Sequence, residues 1–181
     1  MNPGRNSARA AIALLLLAAA PLSGAADQVA SEHAVKAAII YKIAKFVTWP
    51  TEASEGNQDT LPICLPAADP IGPALESLAG KTVQGRTITI HHFDEARTLA
   101  SDCAILFLSQ SATLPRPALI SNVANAPVLT IGDSADFVEI GGIVMLDIKK
   151  NRVTFAINKG ASDRAGLGIS AQLLQLATVK N

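Results

Sequence analysis

Residues 104–108 read Ala-Ile-Leu-Phe-Leu, five apolar side chains in a row with no polar alternate. Successive side chains of a strand point to opposite faces, so a strand of this sequence needs apolar cover on both sides. The flanking chain supplies helices for that cover. Residues 35–47, 71–78, 94–100 and 118–124 read as helices, with Gly80 fitting a C-cap. Between them lie shorter segments, at 63–65, 86–92, 128–131 and 143–148, that read as strands. Strands separated by helices predict an α/β fold: three layers, a mainly parallel sheet and helices on both faces. A turn at Asn151-Arg152 sends residues 153–157 back as an antiparallel C-terminal hairpin strand. The spacing predicts a last helix over 167–179, with Leu173, Leu174, Leu176 and Ala177 on its apolar side and Ser170 or Ser162 as its N-cap. Residues 51–60 are polar and predict a mobile loop.

The N-terminus sets the compartment. Arg5 and Arg9 precede an unbroken apolar run from Ala10 to Ala20; Pro21 ends it, and Ser23-Gly24-Ala25 offers small residues for a signal peptidase. That order is a secretory leader over residues 1–25, leaving one α/β domain at 26–181. The run is shorter than the roughly 20 residues a membrane helix needs. The product is therefore expected to be exported, with no membrane insertion after cleavage. The chain has 15 basic and 15 acidic residues; without Arg5 and Arg9, 13 basic residues remain, for a formal charge of about −2. A chain with no basic stripe is not built to hold nucleic acid.

Chemistry-bearing motifs are few. His91 and His92 are adjacent on a strand, so they face opposite ways and do not chelate one ion. Gly166-Leu167-Gly168-Ile169-Ser170 lacks the Gly-x-Ser-x-Gly order of a nucleophile elbow, and no phosphate-cradling glycine pattern occurs. No catalytic set, metal site or cofactor is expected. Gly132-Asp133-Ser134 follows the C-terminal end of a strand, where ligands dock in open parallel sheets. It reads either as one wall of a small-ligand cleft or as the N-cap of a following helix. Cys64 and Cys103, 39 residues apart, are the only cysteines. In an exported chain an even pair reads as a disulfide, with buried free thiols as the alternative.

The stretch 38–50, Ala-Ile-Ile-Tyr-Lys-Ile-Ala-Lys-Phe-Val-Thr-Trp-Pro, concentrates aromatic residues. At about 100° per residue, Val35, Ile39, Ile40, Ile43, Phe46 and Val47 share one face, with Tyr41, Lys42 and Lys45 opposite. Lys36, Lys42 and Lys45 make a bilayer span costly, so this is an amphipathic core helix stopped before Pro50. Phe46 is expected in the core. Tyr41, Lys45 and Trp49 are candidate partner contacts, with core burial the alternative for Trp49.

That stretch is similar to the N-terminal signature of the YfiR-like periplasmic proteins. The similarity continues in order through ICL at 63–65, GKTVQGRTITI at 80–90, DCAILFLS at 102–109, PVLTIGD at 127–133, FVEIGGIVML at 137–146, RVTFAIN at 152–158 and AGLGISAQLLQLATV at 165–179. The resemblance implies an α/β repressor without catalytic activity. It implies binding to the periplasmic portion of an inner-membrane diguanylate cyclase, which lowers cyclic-di-GMP signalling and biofilm formation. It also implies homodimerisation and sequestration by an outer-membrane OmpA-like lipoprotein. Cys64 and Cys103 match the family's paired cysteines. Some relatives carry a second pair near the Gly-Gly turn, where this chain has Val138 and Met145. A periplasmic ligand-binding module feeding another membrane receptor is the alternative function.

Overall fold

Ile105–Leu108 lies in the interior of an eight-stranded sheet, with all four side chains buried. The structure, a computed structural model, describes residues 24–50, 59–94, 99–149 and 152–180. The expected leader, most of the expected loop at 51–60, part of the helix expected at 94–100 and Asn151 of the expected turn lie outside those residues.

The chain runs α1 (Gly24–Ala44), β1 (Val47–Thr48), β2 (Thr60–Pro66), α2 (Gly72–Glu76), β3 (Thr82–Val83), β4 (Arg86–Phe93), α3 (Leu99–Asp102) and β5 (Ile105–Leu108). It continues with α4 (Arg116–Val123), β6 (Leu129–Gly132), β7 (Val144–Lys149), β8 (Arg152–Asn158), α5 (Lys159–Arg164), β9 (Gly168–Ile169), α6 (Ala171–Leu176) and β10 (Thr178–Lys180). The large sheet has the order β10-β8-β7-β6-β5-β2-β4-β3. It is mostly parallel, with antiparallel pairs at β3–β4 and β7–β8. The α/β fold expected from the sequence is the one observed, including the antiparallel hairpin that follows β7.

The alternation along each strand sorts side chains between two layers of helices. Leu61, Ile63 and Leu65 of β2, with Ile105 and Phe107 of β5, join a core that includes residues of α1, α2, α5 and α6. Cys64, Leu106 and Leu108 face the other way and pack with Leu99, Leu119, Ile120, Val123 and Phe137. A disulfide joins Cys64 to Cys103, with 5.7 Å between their Cα atoms. It bridges the middle of β2 to the residue that follows α3, on this second face.

Phe137 is fully buried and sits between two glycines. A Cβ at Gly132 would come within 2.3 Å of its ring, and one at Gly142 within 2.2 Å. The Gly141-Gly142 turn therefore makes room for one aromatic ring, which fills the space that paired side chains would need.

Two expectations are corrected and one pair of alternatives is resolved. Residues 167–179 do not form one helix: the chain makes β9, then α6, then β10, and Leu176 is 76 % exposed. Gly168-Ile169 pairs antiparallel with Val47-Thr48, and edge pairing there overrides helical spacing. Ser170, not Ser162, is the N-cap; its hydroxyl accepts from the Leu173 N–H at 3.2 Å. Finally, α1 ends at Ala44, so the helical projection fails beyond it. Phe46 is 39 % exposed rather than core, Val35 is equally exposed, and Lys36 is buried instead.

Candidate functional site

The sheet's connections reverse between β2 and β5. β2 leads through α2 to β4 on one side, and β5 leads through α4 to β6 on the other. Where adjacent parallel strands send their chains in opposite directions, their carboxyl ends leave a crevice. Here that crevice is a cleft of about 290 Å³. Asp69 comes from beyond β2, Ser109, Gln110 and Ser111 from beyond β5, and Asp133 from beyond β6. His33 and Lys36 of α1 close the remaining side.

The charged groups of the cleft are held in place. The Lys36 ammonium donates to Asp133 Oδ2 and pairs with Glu32 Oε1, each at 2.7 Å. Burial works against the Lys36 charge, but the hydrogen bonds to Asp133 and Glu32 outweigh it and raise its pKa above the ordinary 10.5. The stability from this pairing is thus fully present below the ordinary value and is lost as pH rises through the higher folded value. Backbone N–H groups fix the carboxylates. Gln110 donates to Asp133 Oδ1 at 2.5 Å, Ile71 to Asp69 Oδ1 at 3.2 Å, and Ser109 to Asp69 Oδ2 at 3.4 Å.

A second constellation lies at the C-terminal end of α1. The half-buried Tyr41 ring has the Lys45 ammonium 4.3 Å from its centroid and that of Lys81 at 5.8 Å. The Tyr41 hydroxyl donates to the Thr82 carbonyl at 3.2 Å. Gln84 and Gly85, both at positive φ, make the two-residue turn between β3 and β4. The Gln84 amide donates to the carbonyls of Lys45 and Val47, at 3.2 and 3.0 Å, and so anchors the turn to the end of α1. Exposed Lys42, Lys45, Phe46 and Lys81 give this surface a basic and aromatic character.

The residues singled out from sequence fall in different places. Tyr41 and Lys45 share the α1 surface. Trp49 does not: its side chain is buried and its indole N–H donates to the Ala104 carbonyl at 3.1 Å. Asp133 lines the cleft, whereas Gly132 backs onto Phe137 and Ser134 is buried. The N-cap reading of Asp133-Ser134 fails because a series of turns, not a helix, follows. His91 and His92 are exposed, and His92 Nε2 lies 2.8 Å from Glu76 Oε1. Among the described residues no group of three or more His, Cys, Asp or Glu is arranged to hold a metal ion, and no helix is long and apolar enough to cross a membrane. Lys36, Asp69 and Ser109 were not singled out as site residues from sequence, because the cleft joins residues as far apart as His33 and Asp133, 100 positions.

Comparison with known proteins bears on fold and family. A family model described as YfiR/HmsC-like matches residues 33–178. No curated protein matches the chain. Among solved structures, the chain is similar to the crystal structure of a conserved domain protein from Vibrio cholerae O1 biovar El Tor, with a TM-score of 0.55 and 14% identity. The match covers 82% of this chain and 60% of that one, so the chain spans less than two thirds of the length of that protein. At this identity the likeness is one of fold.

Proposed function

We propose, from the premise that the chain belongs to the YfiR/HmsC-like family, that it is an exported regulator which represses an inner-membrane diguanylate cyclase. On this reading, residues 1–25 are removed on export and residues 26–181 act in the periplasm as a single domain, as a homodimer. The repressor binds the periplasmic portion of the cyclase, cyclic-di-GMP falls, and an OmpA-like outer-membrane lipoprotein relieves repression by sequestering it. The observation that carries this proposal is the family match over nearly the whole described chain. The disulfide is consistent with an oxidising compartment.

The surface best suited to the partner is that of Tyr41, Lys45 and Lys81. It combines an aromatic ring with ammonium groups and is braced from below by Gln84. Such a surface favours an acidic segment on the cyclase, because opposite charges steer and register the encounter. The test is cyclic-di-GMP in cells expressing the neighbouring cyclase. Deleting the gene raises it, and the reversal Lys45→Glu with Lys81→Glu raises it similarly while leaving the melting temperature within a few degrees. An unchanged level in the deletion strain rejects the repressor role. A rise on deletion with wild-type repression by the double variant rejects this surface alone.

A further inference from the structure

The cleft between β2, β5 and β6 is not needed for the repressor reading, and its chemistry points to a ligand. Two carboxylates, Asp69 and Asp133, line the cleft with one ammonium, Lys36, and one imidazole, His33, and a third carboxylate, Glu32, pairs with Lys36 from outside the lining. The cluster is therefore net negative whichever form His33 takes. Lys36 is already shared between two of the acids. Asp69 is held by two backbone N–H donors, one on each oxygen, and neither donor carries a formal charge. A carboxylate oxygen has two lone-pair sites, so each Asp69 oxygen can accept once more. The Ser109 and Ser111 hydroxyls, 2.9 Å apart, and the exposed Gln110 also line the cleft, and Ile71 supplies an apolar wall.

We propose that this cleft binds a small aliphatic amine, with its ammonium on Asp69 and Asp133, its methylenes against Ile71 and its far end on the Ser109–Ser111 hydroxyls. A volume of about 290 Å³ suits a ligand of this size. The carboxylates are oriented before the ligand arrives, which limits the ordering cost of binding. A dicarboxylate would meet the same charge as its own. A neutral polyol would leave the excess negative charge uncompensated.

This inference goes beyond the repressor reading and stands apart from it, because binding is measured on the protein alone. Titration calorimetry of the oxidised chain at physiological ionic strength uses 1,4-diaminobutane, succinate and glucose as probes. The expected result is saturable one-to-one binding of the diamine, at least tenfold tighter than either other probe. Asp69→Asn keeps an acceptor for one of the two backbone donors and weakens diamine binding at least tenfold. Ser111→Trp at the exposed mouth fills the cleft and abolishes binding, which keeps the test decisive should Asp69→Asn fold poorly. Absent saturable heat with the diamine, tighter binding of succinate or glucose, or undiminished binding by a folded Ser111→Trp variant would each overturn the proposal.

Discussion

On one face of the sheet, Leu61, Ile63, Leu65, Ile105 and Phe107 meet a broad apolar layer to which α1, α2, α5 and α6 contribute. On the other, Cys64, Leu106 and Leu108 meet two helices, α3 and α4, and the turns that carry Phe137. The broad face spreads its stabilisation over many side chains, each worth roughly 1.5–3 kcal/mol when fully buried. The narrow face buries fewer side chains and adds to them a covalent bridge and a ring held between glycines. Two layers of one sheet thus reach the same burial by different means. A large cover tolerates local loss; a small one depends on a few well-placed groups.

That contrast can be broken or sharpened by substitution. Phe137→Ala should have the largest effect, a loss of about 3–5 kcal/mol in urea unfolding, because a buried ring is deleted where Gly132 and Gly142 offer no side chains to fill the space. A cost below about 1 kcal/mol would show that the narrow face repacks freely. Removing the bridge with Cys64→Ala and Cys103→Ala should cost about 2–4 kcal/mol, chiefly by freeing the unfolded chain. The comparison fails if the double variant melts with the oxidised wild type. On the broad face, Ser170→Ala removes the N-cap of α6 and should cost only about 1 kcal/mol. A loss as large as that from the bridge would mean the broad cover is as brittle as the narrow one.

The parts legible in the sequence are those with local causes. Residues 104–108 announce a strand covered on both faces, and β2 and β5 carry the alternation that separates the two cores. Cys64 in β2 and Cys103 just before β5 give the bridge. Residues 167–179 misled because Leu173 to Ala177 keep helical spacing over the short α6, while Gly168-Ile169 is claimed by a strand far away in sequence. Phe46 misled for a related reason: Val47 leaves the helix to make that same pairing. The candidate site was legible at Asp133, which a strand end marks, and at Tyr41 and Lys45, which a helix face marks. Lys36, Asp69 and Lys81 carry no local signal of their roles; only the reversal of the connections between β2 and β5 and the β3–β4 hairpin bring them into place.

The small β1–β9 ribbon has a kinetic consequence. It joins Val47 to Ile169 and Thr48 to Gly168, so the strand that follows the first helix waits for a partner from almost the far end of the chain. Contacts this remote in sequence close large loops late, and folding slows accordingly. On the proposal that the chain is exported, the segments around Cys64 and Cys103 would emerge well before residue 168, so oxidation can precede this final closure. A chain halted before that point would present Val47 and its neighbours without their cover, a feature by which quality-control proteases could tell an unfinished molecule from a completed one.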